Sequence, residues 1–221
     1  AANASPPRLV PEVQATEVAI PSGSKVRNGM VLGSDGAMWF SEWRGIGRVS
    51  AGGSITEFPF TDALMGPGPL ALGSDGNVWF DGAIDNVAPP AFPPSNSAVG
   101  FITPGGSITS YPVNSSGYPL SGIIKGPDNN IWFGYSNNSI GLVGPGGAIT
   151  KYSPTFGNDL NIQVTDLTTA PDGNIWIVDG GLSEILKYVI ATHTVTAYST
   201  PPDFPGAGQN VQPYRVIEGT D

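Results

Sequence analysis

The sequence predicts an all-β fold, a β-propeller of four-stranded blades, with four complete blades and parts of a closing blade making up a portion of a six- or seven-bladed ring. Three observations carry that expectation. A short segment built around Trp recurs at positions 39, 79, 132 and 176, in steps of 40, 53 and 44 residues. Gly and Pro supply 31 and 22 of the 221 residues, while charged residues make up 12% against roughly 25% in an average soluble domain. Such a chain is rich in turns and short of the Glu, Lys and Arg that coat helix surfaces. Finally, apolar residues flank each Trp on both sides of the strand alternation, so both faces of each sheet need a neighbour.

Residues 1–11 read as an N-terminal extension and residues 12–25 as a ring-closing outer strand, because Thr16-Glu17 align with Thr56-Glu57 in the fourth strand of the first repeat. An N-terminal strand that completes the last blade would staple the circle. Blade 1 spans 26–61, blade 2 spans 62–114, blade 3 spans 115–154 and blade 4 spans 155–200. Each opens on a first strand and a tight turn leading to the Trp strand: Val31-LGSDGAMWF-Ser41, Ala71-LGSDGNVWF-Asp81, Ile124-KGPDNNIWF-Gly134 and Thr168-TAPDGNIWI-Val178. A second hairpin follows in each: Ile46-GRVSAGGSITEF-Pro59, Val99-GFITPGGSITSY-Pro112, Ile140-GLVGPGGAITKY-Ser153 and Ile185-LKYVIATHTVTAY-Ser199. The last of these replaces Pro-Gly-Gly by Ala191-Thr192-His193. Residues 201–221 read as a loop and the first strand of a truncated blade 5, since Gly219-Thr220-Asp221 align with Gly33-Ser34-Asp35.

Nine Lys and Arg against 18 Asp and Glu give a formal charge of −9, which provides no basic footprint for nucleic acid. No apolar run reaches the ~20 residues of a membrane span. Without Cys, disulfides and thiolate chemistry are excluded. The opening Ala1-Ala2-Asn3-Ala4-Ser5 resembles the remainder left by signal-peptide cleavage, so we expect a secreted protein, extracellular or periplasmic. An arbitrary chain start is the alternative. Three N-x-S triplets, at Asn3, Asn114 and Asn137, would accept glycans in a eukaryotic secretory pathway.

The pattern G-P-D-G-N-hydrophobic-W-F, followed by I-G-R-hydrophobic and G-x-I-T-E-F-P, resembles the repeat of the virginiamycin B lyase-like (streptogramin lyase) propeller family, over roughly residues 26–200. The resemblance implies a seven-bladed ring. It also implies a lyase chemistry in which a Glu closing a W-F-T-E motif helps bind Mg²⁺ and a nearby His removes the proton α to a carbonyl, eliminating an ester C–O bond of a cyclic depsipeptide. Here the positions after each Trp strand are Ser41-Glu42-Trp43-Arg44, Asp81-Gly82-Ala83-Ile84, Gly134-Tyr135-Ser136-Asn137 and Val178-Asp179-Gly180-Gly181. Glu42 alone reproduces the family carboxylate, and none of the four offers the His.

With the four strands of each repeat lettered a to d in chain order, b being the Trp strand, the a–b turns are nearly uniform, whereas the b–c and d–a connections on the opposite face differ in every repeat, and variable loops on a rigid scaffold are where function sits. We therefore expect a ligand-binding or structural module acting through that loop-rich face on a protein or small-molecule partner. Its binding residues would be Glu42, Trp43, Arg44, Tyr135, Asn137 and Asp179. No catalytic residue, metal ligand or cofactor is expected; Mg²⁺ enters with the alternative, a streptogramin B-type C–O lyase whose catalytic blades lie beyond Asp221. Asp in each a–b turn reads as ordinary hairpin chemistry rather than a Ca²⁺ ligand, because one Asp per turn lacks D-x-D-x-D spacing. His193 reads as a solvated turn residue, and the Trp repeat as inter-blade packing rather than an aromatic platform. An arc with open flanks would form chain–chain contacts through Leu182, Ile185, Leu186, Val216 and Ile217.

Overall fold

A computed structural model describes residues 17–60, 64–84, 96–115, 120–135, 138–153, 163–182, 184–199, 213–217 and 219. The Asp-containing turns set its architecture. In the first, the Gly36 amide donates to the Gly33 carbonyl (3.1 Å) and the Gly33 amide to the Ala37 carbonyl (2.8 Å), which closes a tight hairpin. That closure needs a left-handed residue after Asp, supplied by Gly36 (φ 74), Gly76 (φ 78), Asn129 (φ 64) and Gly173 (φ 73). The Asp then accepts the amide two residues on, from Ala37, Asn77, Asn130 and Asn174. It also accepts the indole N–H four residues on: Trp39 to Asp35 at 3.1 Å, Trp79 to Asp75 at 3.2 Å, Trp132 to Asp128 at 3.0 Å and Trp176 to Asp172 at 3.3 Å. One carboxylate thus fixes both the turn and the Trp rotamer.

These hairpins build four antiparallel sheets. Blade 1 is β1 (Val26–Leu32), β2 (Met38–Glu42), β3 (Gly45–Val49) and β4 (Ile55–Pro59). In blade 2 the first strand is split into β5 (Leu64–Met65) and β6 (Leu70–Leu72), both paired with β7 (Val78–Ile84), and β8 (Asn96–Ile102) and β9 (Ile108–Val113) follow. Blade 3 is β10 (Leu120–Lys125), β11 (Ile131–Tyr135), β12 (Ser139–Val143) and β13 (Ile149–Tyr152). Blade 4 is β14 (Val164–Thr169), β15 (Ile175–Asp179), β16 (Glu184–Val189) and β17 (Thr194–Ser199).

The core lies between blades, as the two-sided apolar strands require. Trp39 and Ile46 of blade 1 pack with Val78 and Phe80 of blade 2. Trp79 on the other face of β7 joins Ile123, Ile131 and Phe133 of blade 3, and Trp132 joins Leu167, Ile177 and Leu186 of blade 4. Trp39, Trp79 and Trp132 are buried, and Trp176, on the far face of blade 4, is half-buried.

A second repeated contact locks the outer strands. Each fourth strand lays an aromatic ring on the Trp of its own blade: Phe58 on Trp39 (5.4 Å), Tyr111 on Trp79 (6.4 Å), Tyr152 on Trp132 (5.5 Å) and Tyr198 on Trp176 (5.5 Å). The c–d turn of the following blade then presses on that ring. A Cβ at Gly106 would come within 2.3 Å of Phe58, and one at Gly147 within 1.9 Å of Tyr111. In blade 4 the left-handed turn position falls to His193 (φ 56), whose ring stacks on Tyr152 at 4.9 Å and whose Nδ1 lies 2.6 Å from the Tyr188 hydroxyl. His193 is therefore an inter-blade stacking residue at an exposed turn, rather than a purely solvated one.

Three expectations about the flanks are revised in detail. Residues 17–25, read as part of a closing outer strand, form no strand; the Ser22 amide and hydroxyl instead bond the Glu57 carboxylate of blade 1. Thr16 lies outside the described residues. In the region read as the first strand of a fifth blade, residues 213–217 are likewise unpaired, held by a 3.2 Å bond from the Val216 amide to Asp166. A strand needs a neighbour's backbone to pair with, and neither segment has one among the described residues. Leu186, expected on the open flank, points inward and is fully buried because it pairs opposite Ile177, whereas Ile217 is exposed.

Candidate functional site

The ends of the Trp strands carry the chemistry-bearing side chains to the loop-rich face, and strand alternation decides where each one goes. Glu42, Tyr135 and Asp179 occupy the third position after Trp and share the sheet face of Phe40, Phe133 and Ile177. Tyr135 and Asp179 therefore point toward the preceding blade, and Glu42 toward the outer flank of blade 1, none of them out of the disc. Tyr135 is buried between blades 2 and 3, 5.3 Å from the Phe133 ring, with the Lys151 ammonium 4.6 Å from its own ring centre. Burial raises its hydroxyl pKa above the ordinary value. Asp179 is fully buried, its Oδ1 accepting the amides of Gln163 (3.0 Å), Gly181 (2.7 Å) and Leu182 (3.2 Å). Asn137 lies outside the described residues. Tyr135 and Asp179 are thus both buried rather than presented on the loop-rich face.

Glu42, Trp43 and Arg44 do stand together, lining a cavity of about 430 Å³ with Ser22, Ser24, Glu57 and Pro59 on the outer flank of blade 1. Glu42 is 5% exposed, and its Oε1 has no hydrogen-bond partner among the described residues. Burial first, and then the Glu57 carboxylate, push its pKa up, with the Ser24 hydroxyl opposing. These groups provide one unpartnered carboxylate oxygen. Among the described residues no group of three or more Asp, Glu or His is placed to hold a metal ion. The part of the molecule described here therefore does not fit the Mg²⁺ that the repeat implies, and we derive no step through it. His193, the sole histidine of the chain, sits in a c–d turn at the opposite end of the blades.

A second pocket lies where blades 1, 2 and 3 meet on the loop-rich face. It has a volume of about 270 Å³ and is lined by Arg27 and Asn28 of β1, the Gly66–Pro69 approach to β6, Asp81 of β7, Ser97 of β8 and Leu120 of β10. Asp81 is 4% exposed, and its Oδ1 accepts the Gly68 amide at 3.1 Å. A Cβ at 68 would come within 2.4 Å of that oxygen, so a larger residue there would displace the Asp81 carboxyl. Burial pushes the Asp81 carboxyl up to about 7, against the Gly68 amide, its own amide and the Arg27 charge, all of which lower it. Arg27 in turn sits over Trp43, its guanidinium carbon 5.0 Å from the ring centre.

The sequence reading passed over Asp81 because it asked for a Glu at the third position after Trp, and Asp81 is at the second. A signal was present: the corresponding residues are Ser41, Gly134 and Val178, so one repeat of four places a charge there.

Similar folds are known. The selenomethionine-substituted virginiamycin B lyase of Staphylococcus aureus superposes with a TM-score of 0.73 at 24% identity, over 91% of this chain and 62% of the lyase. A catalytically inactive variant of that enzyme with quinupristin gives a TM-score of 0.72 at 24% identity over the same shares. A gluconolactonase of Xanthomonas campestris reaches 0.59 at 16% identity, over 84% of this chain and 65% of that one. The chain spans 62% of the length of the two lyase structures. No curated protein matches it significantly. The virginiamycin B lyase family model matches residues 4–221, and the chain accordingly belongs to that family.

Proposed function

We propose that this part of the propeller is a ligand-binding module working through its loop-rich face, and that it performs no elimination chemistry with its own side chains. The observation that supports this reading is the pocket of Arg27, Asp81 and Ser97 between three blades. It is a concave site of mixed polarity on the face where the connections vary, which is the ordinary setting of small-molecule recognition. The other half of the reading rests on distribution. The base chemistry of α-proton removal calls for an imidazole or a comparably poised group within reach of the substrate. The chain's one imidazole is stacked between blades at the opposite end.

The second reading, a streptogramin-type C–O lyase, is favoured by the family match and by the S. aureus enzymes. Incubating the chain with quinupristin and Mg²⁺ and following the ring-opened product by mass spectrometry separates the two. We expect no product. Turnover that survives His193→Ala would overturn the non-catalytic assignment and require a base elsewhere. In parallel, NMR shift changes produced by a mixture of small organic acids, amines and amides are expected to cluster at Arg27, Trp43, Asp81 and Ser97. Changes confined to the turns at Gly36 and Gly53 would move the binding face to the other end.

A further inference from the structure

Blade 1 shows what the second position after Trp does in the bare repeat. The Ser41 hydroxyl accepts the Gly29 amide at 2.9 Å and so ties the first strand to the second. Asp81 does the same task in blade 2, taking the Gly68 amide on Oδ1. A neutral hydroxyl suffices for that anchor, so it does not call for the charge of Asp81. Burying a carboxyl beyond what packing needs is costly. Asp81 shares the pocket with Arg27. Arg27 forms no ion pair with a described carboxylate, and its guanidinium carbon lies 5.0 Å from the Trp43 ring centre. A guanidinium and a buried carboxyl thus line one cavity without forming an ion pair with each other.

Resting on the ligand-binding reading above, we propose that this pocket binds a small monocarboxylate, gripped by the Arg27 guanidinium and the Asp81 carboxyl together. The chemistry favours that class. A guanidinium fork matches a carboxylate in plane, and a neutral carboxyl beside it donates its O–H to the same ligand. An amine ligand would meet Arg27 as a like charge. A doubly charged anion would sit against Asp81 in its ionised form. Taking about 30 Å³ per water-sized group, a volume of 270 Å³ admits about nine non-hydrogen atoms, which is the size of benzoate.

Binding carries a proton with it. Arg27 and Asp81 are the charged residues lining the pocket, and Asn28 and Ser97 are its polar neighbours. The carboxylate brings one negative charge to a site where an ionised Asp81 would repel it, so Asp81 takes a proton from solvent as the ligand enters. Since the free group titrates at about 7, affinity should fall about tenfold between pH 6 and pH 8.

Calorimetric titration of the folded chain with benzoate and acetate, at both pH values and in two buffers of different ionisation enthalpy, tests this. Benzylamine serves as the contrasting probe. Expected are benzoate binding that weakens about tenfold by pH 8, and uptake approaching one proton at pH 8. Arg27→Gln should lose binding, while Asp81→Ser should bind weakly and independently of pH. Near-UV circular dichroism checks that both variants fold. The proposal is overturned if neither carboxylate binds at millimolar concentration, if benzylamine binds in preference, or if Asp81→Ser leaves affinity and proton uptake unchanged. Quinupristin turnover would sink the reading above it without touching this titration. Shifts at the loop face with amines alone would sink this inference and leave that reading standing.

Discussion

Asp81 ties the packing of blade 2 to its chemistry, and its energetics are open to measurement without any ligand. A carboxyl moved by burial from 3.8 to about 7 keeps a proton in the folded chain that the unfolded chain has already released between those values. Its contribution to stability is therefore greatest on the acid side, is lost as pH rises through about 7, and is flat above. At about 1.4 kcal/mol per pH unit, the loss is roughly 4 kcal/mol for a group this deeply buried. Asp81→Ser removes that dependence and keeps the anchor that Ser41 provides in blade 1. Urea denaturation of the two proteins should show wild-type stability falling between pH 5 and about pH 8, while the variant is flatter and at pH 8 the more stable. A variant less stable than wild type at pH 8 would mean that Asp81 is ionised and well paired in the fold.

Within each blade the a–b turn is the decisive element, and comparing the four copies shows what controls it. Three begin with glycine, where a Cβ would come within 2.4 to 2.6 Å of a Trp indole nitrogen or its neighbouring carbon: Gly33, Gly73 and Gly126. The fourth has Ala170. In that copy the closing amide bond lengthens to 3.3 Å, against 2.8, 2.9 and 2.8 Å in the others, and the indole bond to Asp172 is also the longest. The methyl group has pushed the Trp and the turn apart. Gly126→Ala should accordingly cost about 1–3 kcal/mol, the usual penalty for overpacking, read as a lower urea midpoint with an unchanged slope. Ala170→Gly should change little, because the relieved contact is offset by the freedom glycine gains in the unfolded chain. Equal effects at the two positions would remove the Trp contact as the cause. The turn glycines were legible as turn residues, as was the hairpin role of Asp. That the same Asp also holds the indole N–H was not, because spacing gives no rotamer. His193 illustrates the same limit: its place in the turn followed from the repeat, but the stacking on Tyr152 depends on the neighbouring blade.

For the whole molecule, the repeat made four blades, their strand order and the inter-blade Trp legible, because a short motif recurring at blade length leaves the chain little choice of partner. The candidate site was less legible, since it is built from three blades at once. Arg27, Asp81 and Ser97 are distant in sequence, and strand alternation turned Tyr135 and Asp179 inward. The same inter-blade logic makes the two flanks complementary. Tyr198 lies on Trp176 and is 46% exposed, without the turn that covers Phe58, Tyr111 and Tyr152. At the other flank Gly53, in the matching turn of blade 1, has nothing within 4 Å of the place a Cβ would take. On the same flank Met30, Leu32 and Met38 are exposed at positions that in blade 2 are held by Leu70, Leu72 and Val78. A contact made three times within the chain has one unmatched half on each flank, so a second copy can supply to the first what its own neighbours supply elsewhere. Residues 1–221 alone are therefore expected to associate head to tail, with sedimentation showing species heavier than 22.8 kDa. The charge of −9 per chain opposes this, and raising salt to about 0.5 M should strengthen association by screening that repulsion. Tyr198→Asp should weaken it at every salt concentration, because it places a charge where a ring must meet the turn. A chain that stays monomeric at high salt, with Tyr198→Asp behaving as wild type, would show that these flanks are stable in water as they stand.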